Sequence, residues 1–277
     1  MIQPFMQDED FLLEVRSASP DHVNIWWLGQ SGIMIGWNHQ YLLMDPYLSD
    51  SLTRKYAGTD KPHVRLVERV IAPERLDFIH AVTSSHNHTD HLDGETLQEL
   101  ARVNPGLRLI VPRANQAVAA ERIGWNPERL ELADADGSPL QVGDFRIWAI
   151  PSAHEVLEQD EMGNHKFVGY IVEVAGSVIY HSGDCCWYAG LEDRLVRWKI
   201  DLAVLPINGR DPRRGVAGNF NGEEAAILAN AVGIGKVIPC HFEMFQFNSV
   251  SPQGFRDAAA HLGVPYLILK VGEHFQL

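Results

Sequence analysis

The segment Ser84-Ser85-His86-Asn87-His88-Thr89-Asp90-His91-Leu92-Asp93 packs three imidazoles and a carboxylate into residues 86–91. Neutral imidazole nitrogens and carboxylate oxygens suit zinc or a similar divalent ion, whereas a thiolate site would need cysteines that this stretch lacks. A tight turn can aim His86 and His88 to one side and Asp90 and His91 to another, so one loop can serve two adjacent ions. The apolar run just before it, Phe78-Ile79-His80-Ala81-Val82-Thr83, predicts a buried strand that delivers the loop. A polar loop merely rich in histidine is the competing reading, and the H-x-H-x-D-H spacing argues against it.

At these residues the chain resembles the metallo-β-lactamase-fold hydrolases. The resemblance implies an α/β fold, a four-layer αβ/βα sandwich spanning residues 1–277 as a single domain. It also implies that a later His, a later Asp and a final His complete the metal centre at strand ends. All three occur in that order: His154 after Phe145–Ile150 and Pro151, Asp184 in His181-Ser182-Gly183-Asp184, and His241 after Lys236–Cys240. Carried over, His86, His88 and His154 hold one divalent ion, and Asp90, His91 and His241 hold the other. Asp184 bridges, because its two oxygens can each bind one ion and its charge offsets their mutual repulsion. The implied cofactors are two divalent metal ions, Zn or Mn, and the implied nucleophile is a metal-bound hydroxide. Asp90 is then also the catalytic residue that orients the nucleophile and passes its proton to the leaving group. The resemblance places Asp45, in Asp45-Pro46, behind the metal loop, with an ordinary turn as the alternative. His181 is expected in the same supporting layer, since its side chain should point opposite to that of the next residue in an extended segment.

Three further strings, Trp26-Trp27-Leu28-Gly29-Gln30-Ser31-Gly32, Tyr180–Asp184 and Val237–His241, are similar to the L-ascorbate-6-phosphate lactonase family. That similarity implies hydrolytic opening of a lactone, with a sugar-phosphate lactone as the type of substrate. A metal-dependent phosphodiesterase is the alternative, since two metals equally suit in-line attack on phosphorus. An oxygen-reducing di-iron protein would carry H-x-E-x-D at the loop, and His88 stands where that Glu would be. The most basic stretch, Asn208-Gly209-Arg210-Asp211-Pro212-Arg213-Arg214-Gly215, offers Asn208, Arg210 and Arg213 as contacts to a substrate anion, because arginine forks match phosphate and carboxylate oxygens. A solvated turn is the rival reading of that stretch.

The elements that must position these residues follow from periodicity. Val23–Leu28, Gly32–Trp37 and Gln40–Met44 predict an antiparallel meander after a polar entry segment, and residues 47–77 a loop bordering the site with a short helix. Helices are predicted from Glu95, over Asn115–Ile123, Trp187–Trp198, Gly222–Val232 (capped by Asn221) and Pro252–Leu262. Strands are predicted at Leu107–Val111, near Leu130 and Leu140, at Phe145–Ile150, Phe167–Val174, Ser177–Tyr180, Leu202–Ile207, Lys236–Cys240, Tyr266–Lys270 and His274-Phe275. Phe242, Phe245 and Phe247 offer an apolar pocket wall, and His165 sits in an acidic loop beside the pocket.

Bulk properties narrow the partners. The 277 residues with 45% apolar content support a substantial core. A net charge of −13 argues against nucleic acid or an anionic membrane and leaves a small, anionic molecule as the expected substrate. A homo-oligomer is compatible with the sequence. Three cysteines without a C-x-x-C, no basic-apolar leader and no run long enough to span a bilayer predict a cytoplasmic protein.

Overall fold

The computed structural model describes residues Met1–Leu277. In chain order the strands are β1 (Asn24–Gly29), β2 (Gly32–Trp37), β3 (Gln40–Met44), β4 (Ala81–Thr83), β5 (Arg108–Pro112), β6 (Glu131–Ala133), β7 (Leu140–Val142), β8 (Phe145–Pro151), β9 (Val168–Val174), β10 (Ser177–His181), β11 (Leu202–Pro206), β12 (Val237–Cys240) and β13 (His274–Gln276). The helices are α1 (Asp8–Ser17), α2 (Ser51–Lys55), α3 (Gly94–Val103), α4 (Gln116–Ile123), α5 (Leu191–Leu195), α6 (Gly222–Val232) and α7 (Gln253–Leu262).

The strands form two sheets, ordered β13-β1-β2-β3-β4-β5-β6 and β12-β11-β10-β9-β8-β7. Helices α3 and α4 pack together beside β5, while α6 covers β11 and β12 and carries α7. The outcome is the expected αβ/βα sandwich. Its buried apolar side chains form one continuous cluster drawn from both sheets and the helices that flank them, including Trp26, Trp27, Tyr170, Tyr180 and Phe145. Full burial of each such side chain contributes about 1.5–3 kcal/mol.

The direction of the strands decides where chemistry can occur. β3, β4, β5 and β6 run parallel, and so do β10, β11 and β12. β8 is antiparallel to β9, which is antiparallel to β10, so β8 and β10 point the same way. The carboxyl ends of β3, β4, β8, β10 and β12 are therefore where Asp45, the histidine loop, His154, Asp184 and His241 emerge. Loops outside carboxyl strand ends are where open α/β sheets place their ligands.

Side-chain caps fix the starts of α3 and α6. Asn221 and Glu224 close a reciprocal cap on α6, with Asn221 Oδ1 accepting from Glu224 N and Glu224 Oε2 from Asn221 N, both at 2.9 Å. Asp93 caps α3, its Oδ2 accepting from Thr96 N at 3.1 Å.

Four expectations are corrected. The entry segment contains α1, held by buried Phe11, Leu12 and Val15. The strand in the run from Phe78 is Ala81–Thr83, with His80 still bonded to Tyr41 O and Arg108 N, while the Ile79 N–H leaves the ladder for Asn104 Oδ1 at 2.9 Å. The helix expected over Trp187–Trp198 is confined to Leu191–Leu195, since Gly190 at φ 90° breaks the backbone before it. Tyr266–Lys270 makes one bridge, to Val237, and no ladder strand.

Candidate metal centre

The loop after β4 is wound by its own backbone. The His88 carbonyl accepts from the N–H groups of His91 at 3.1 Å and Leu92 at 2.8 Å, forming one tight turn. Both sheets hold its root: Ser84 N–H donates to Ile110 O of β5 at 3.0 Å, while from β9 Val168 N–H donates to Ser85 O at 3.0 Å and the Tyr170 hydroxyl to Ser84 O at 2.8 Å. Gly183 lets the β10 loop close onto this root. Its φ is 59°, and a Cβ there would stand 2.6 Å from Ser85 Cβ.

These constraints bring the seven candidate ligands together. Potential donor atoms of His86, His88, His154 and Asp184 lie within 4.8 Å of one another, as do those of Asp90, His91 and His241. Asp184 stands between the groups. Its Oδ2 is 3.6 Å from His154 Nε2 and 4.0 Å from His86 Nε2, while its Oδ1 is 3.3 Å from His91 Nε2 and 3.4 Å from His241 Nε2. Donors at about 2.1 Å from a tetrahedral ion stand about 3.4 Å apart, so these spacings suit ion coordination.

Three atoms aimed into the cluster have no protein partner: His86 Nε2, His91 Nε2 and Asp184 Oδ1 are buried and unbonded. Unpaired buried polar atoms are costly, and a divalent ion would satisfy all three. The other ring nitrogens are already committed. Asp45 Oδ2 accepts from His91 Nδ1 at 2.6 Å, and the Gly218 carbonyl accepts from His154 Nδ1 at 2.8 Å. Each bond leaves Nε2 as the free lone pair for a metal. The donor set thus fits divalent metal ions.

Charge follows the same arrangement. Burial works against the charged forms of His86, His88, Asp90, His91, Asp184 and His241. In His91 the carboxylates of Asp184, Asp90 and Asp45 overcome burial and hold the imidazolium well above its usual range. In His241 burial is likewise overcome by Asp184 and Asp90, raising it to about 9. Burial would raise Asp90 and Asp184, yet the adjacent His91 and His241 charges hold both below the usual carboxylate range. His86 and His88 are lowered by burial and neighbouring imidazoles, keeping them neutral and ready to ligate.

Asp45 and His181 lie behind the cluster. Asp45 also accepts from Ser85 N at 2.7 Å and Ser85 Oγ at 2.5 Å. His181 reaches the Ser31 carbonyl at 2.8 Å through Nε2 and accepts from Gly183 N at 3.2 Å, so it steadies the turn before Asp184 rather than a ligand itself.

The candidate substrate residues fare differently. A cavity of about 390 Å³ opens over the cluster, and Asn208, Arg210 and Arg213 are absent from its lining. Arg210 is paired with Glu224, and Arg213 is an exposed fork on Asp211 at 2.8 Å. Arg214 Nη1 donates to Asn208 O at 2.7 Å and Asn248 Oδ1 at 3.1 Å, so all three arginines of the stretch are committed, which corrects the expected anion clamp. Asn208 is buried one layer back, bonding the wall residues Asn219 at 3.0 Å and Asn248 at 3.1 Å. Phe245 and Phe247 line the cavity, whereas Phe242 is buried against Trp27. His165 lies outside it.

Gln30 is a residue that periodicity could not single out. Its Nε2 is 2.8 Å from Asp90 Oδ2 and 3.0 Å from His241 Nε2. Gln30 (φ 51°), Asp45 (φ 45°) and His241 (φ 62°) all occupy the left-handed region. Such positions cost roughly 1–3 kcal/mol each and cluster where structure serves a site. The signal available in sequence was the Gly-Gln-Ser-Gly turn, which places a long amide at a hairpin tip.

Residues 40–242 match the family described as the beta-lactamase superfamily domain. The chain belongs to the beta-lactamase superfamily. Among its sequence relatives, a UPF0173 metal-dependent hydrolase of Saccharolobus solfataricus is 24% identical over 259 residues, covering 91% of this chain and 98% of the relative. A protein of Escherichia fergusonii named "probable L-ascorbate-6-phosphate lactonase" is 25% identical over 277 residues, covering 88% of this chain and 76% of its own length. In three dimensions, the isothiocyanate hydrolase from Delia radicum gut bacteria superposes with a TM-score of 0.72 at 18% identity, covering 92% of this chain and 100% of that one. The metallo-hydrolase members of the superfamily thus share this chain's fold, and metal-dependent hydrolases are among its sequence relatives.

Proposed function

We propose that this metallo-hydrolase, acting as one domain over residues 1–277, uses two divalent ions, Zn or Mn, to open a lactone or comparable ester of a small anionic molecule. The observation that carries the reading is the split of Asp184, whose Oδ2 faces His86 and His154 while Oδ1 faces His91 and His241. A carboxylate so placed suits a shared ligand between two ions.

His86, His88, His154 and Asp184 would hold one ion, and Asp90, His91, His241 and Asp184 the other. Bound there, the pair would lower the pKa of a water and polarise the scissile carbonyl. The chain's own groups do the rest. Asp90 stays ionised and accepts a proton from the attacking water, then returns it to the leaving oxygen. Gln30 donates to Asp90 Oδ2 and holds that carboxylate in place. Asp45 and the Gly218 carbonyl keep His91 and His154 in the ligating tautomer. Similarity to a named lactonase supports the lactone class, and the charge of −13 supports a small molecule over nucleic acid. No helix is long and apolar enough to cross a membrane. All three cysteines are unpaired, which supports a cytoplasmic setting.

The test is proton release with Mn- or Zn-loaded enzyme on a sugar-phosphate lactone and on its phosphate-free counterpart. Turnover that disappears in Asp184→Ala together with bound metal is the expected result. No turnover of either lactone overturns the substrate class and makes phosphodiesters the next panel. Full activity of Asp184→Ala with two ions bound overturns the shared-ligand assignment.

A further inference from the structure

We propose that Lys55 and Arg122 form the subsite that binds the substrate's anionic group, a phosphate or carboxylate. The proposal rests on the hydrolase reading above and names where its substrate is held. Apart from Asp90 and Asp184, the charged lining residues of the cavity are these two cations and no others, histidines aside. In a protein with 36 acidic and 23 basic residues, a lining whose two cations match its two carboxylates is less acidic than the overall balance.

Neighbouring arginines are committed elsewhere. Arg54 pairs with Glu95, Arg65 with Asp50, Arg210 with Glu224 and Arg213 with Asp211. Lys55 and Arg122 have no carboxylate within 4.0 Å. Arg122 is half-buried and burial lowers its pKa against the opposing pull of Asp93 and Glu121, so its charge is partly desolvated with no carboxylate in direct contact. A partly buried guanidinium in this condition favours an incoming anion.

Arg122 and the helix that carries Lys55 are both tied to the same stretch of backbone. Arg122 Nη1 donates to the Leu92 carbonyl at 2.9 Å, which leaves its other N–H groups free. Helix α2, which ends at Lys55, is tied to the same region by Ser51 Oγ donating to Asp93 Oδ1 at 2.8 Å. Asn87 and Thr89 of that loop line the cavity between the metal ligands. An anion held here would place the attached ester over the candidate metal centre. The rest of the wall suits the body of such a molecule, with His63 stacked on Tyr56 at 4.2 Å and Phe247 4.5 Å from His63.

The test is titration calorimetry of the zinc-loaded protein with phenyl phosphate, with phenylacetate, and with benzyl alcohol as the neutral control. The proposal expects Lys55→Gln and Arg122→Gln each to raise Kd for the phosphate probe by about tenfold or more, as loss of a charge-assisted bond implies. Arg210→Gln should leave that Kd unchanged, and Arg122→Lys should restore part of the loss, which separates binding from misfolding. A loss confined to phenyl phosphate assigns a phosphate subsite; a parallel loss for phenylacetate assigns a general anion subsite. Wild-type Kd in both Gln variants, or a wild type that binds benzyl alcohol as tightly as phenyl phosphate, overturns it. Lactone turnover is scored separately: its absence with the Kd differences intact counts against the lactonase reading and for the subsite.

Discussion

Replacing Asp45 by Asn changes one atom and should reset the tautomer of a ligand. Asp45 accepts three donors: Ser85 N at 2.7 Å on Oδ1, and Ser85 Oγ at 2.5 Å and His91 Nδ1 at 2.6 Å on Oδ2. An Asn amide turned toward Ser85 N–H would set donor against donor. Turned the other way, it faces a hydroxyl that can rotate and an imidazole that can switch its proton, so this is the less costly arrangement. His91 then carries hydrogen on Nε2, pointing at Asp184 Oδ1 3.3 Å away. The metal-free fold tolerates that hydrogen, whereas ligation through Nε2 does not. Altering a group that orients a metal-binding histidine costs about 10–100-fold in affinity, or about 1.4–2.7 kcal/mol at 1.4 kcal/mol per tenfold. On the proposed two-ion centre, chelator competition should show that loss for an ion held by His91, with an ion held by His86, His88 and His154 less affected. Long-range nitrogen–proton NMR of the metal-free proteins should show wild-type His91 protonated on both ring nitrogens and the variant's His91 on Nε2 alone. Wild-type metal affinity, or a His91 still protonated on both ring nitrogens, would refute the reasoning.

The remaining predictions concern pH, thiols and a helix cap. In chelator-treated protein His241 is raised to about 9 against an ordinary value near 6.5, and His91 is also raised. Their contribution is complete below the ordinary value and is lost as pH rises through about 9, while lowered His86 and His88 work against folding as pH falls below 6.5. Thermal melts of the metal-free protein should therefore peak near neutrality and decline toward pH 9, and a flat profile from pH 6.5 to 9.5 would contradict this. Burial pushes the Cys185 thiol up to about 12 and also raises Cys186 and Cys240. A thiol-reactive chromophore at pH 8 should thus label the native protein far more slowly than the denatured one, with fast native labelling the contrary result. Asn221→Ala removes the reciprocal cap of α6 and should cost about 1 kcal/mol in urea unfolding with metal binding unchanged; a change under 0.2 kcal/mol would contradict the cap's role.

Much of the candidate site was legible because its ligands are short-range or ordered motifs. His86, His88, Asp90 and His91 lie on one turn, and spacing alone exposes them. His154, Asp184 and His241 each follow a strand whose apolar run is plain in the sequence, and the family resemblance supplied their order. What sequence could not weigh was pairing between distant charges. The cluster at Asn208–Arg214 looked like an anion clamp because the residue types suit one, yet Glu224 and Asp211 neutralise Arg210 and Arg213. Lys55 and Arg122 looked ordinary because their shared cavity depends on where α2 and α4 meet the metal loop.

Strand polarity, periodicity and ligand order, all local or one-dimensional properties, were determined by the sequence by itself. The tertiary structure alone decided which oxygen of Asp184 faces which histidines, which carbonyl fixes the tautomer of His154, and which cations remain without a carboxylate. Those outcomes depend on distances of a few ångströms between segments far apart in the chain, and Coulombic and hydrogen-bond energies are set by such distances rather than by residue type.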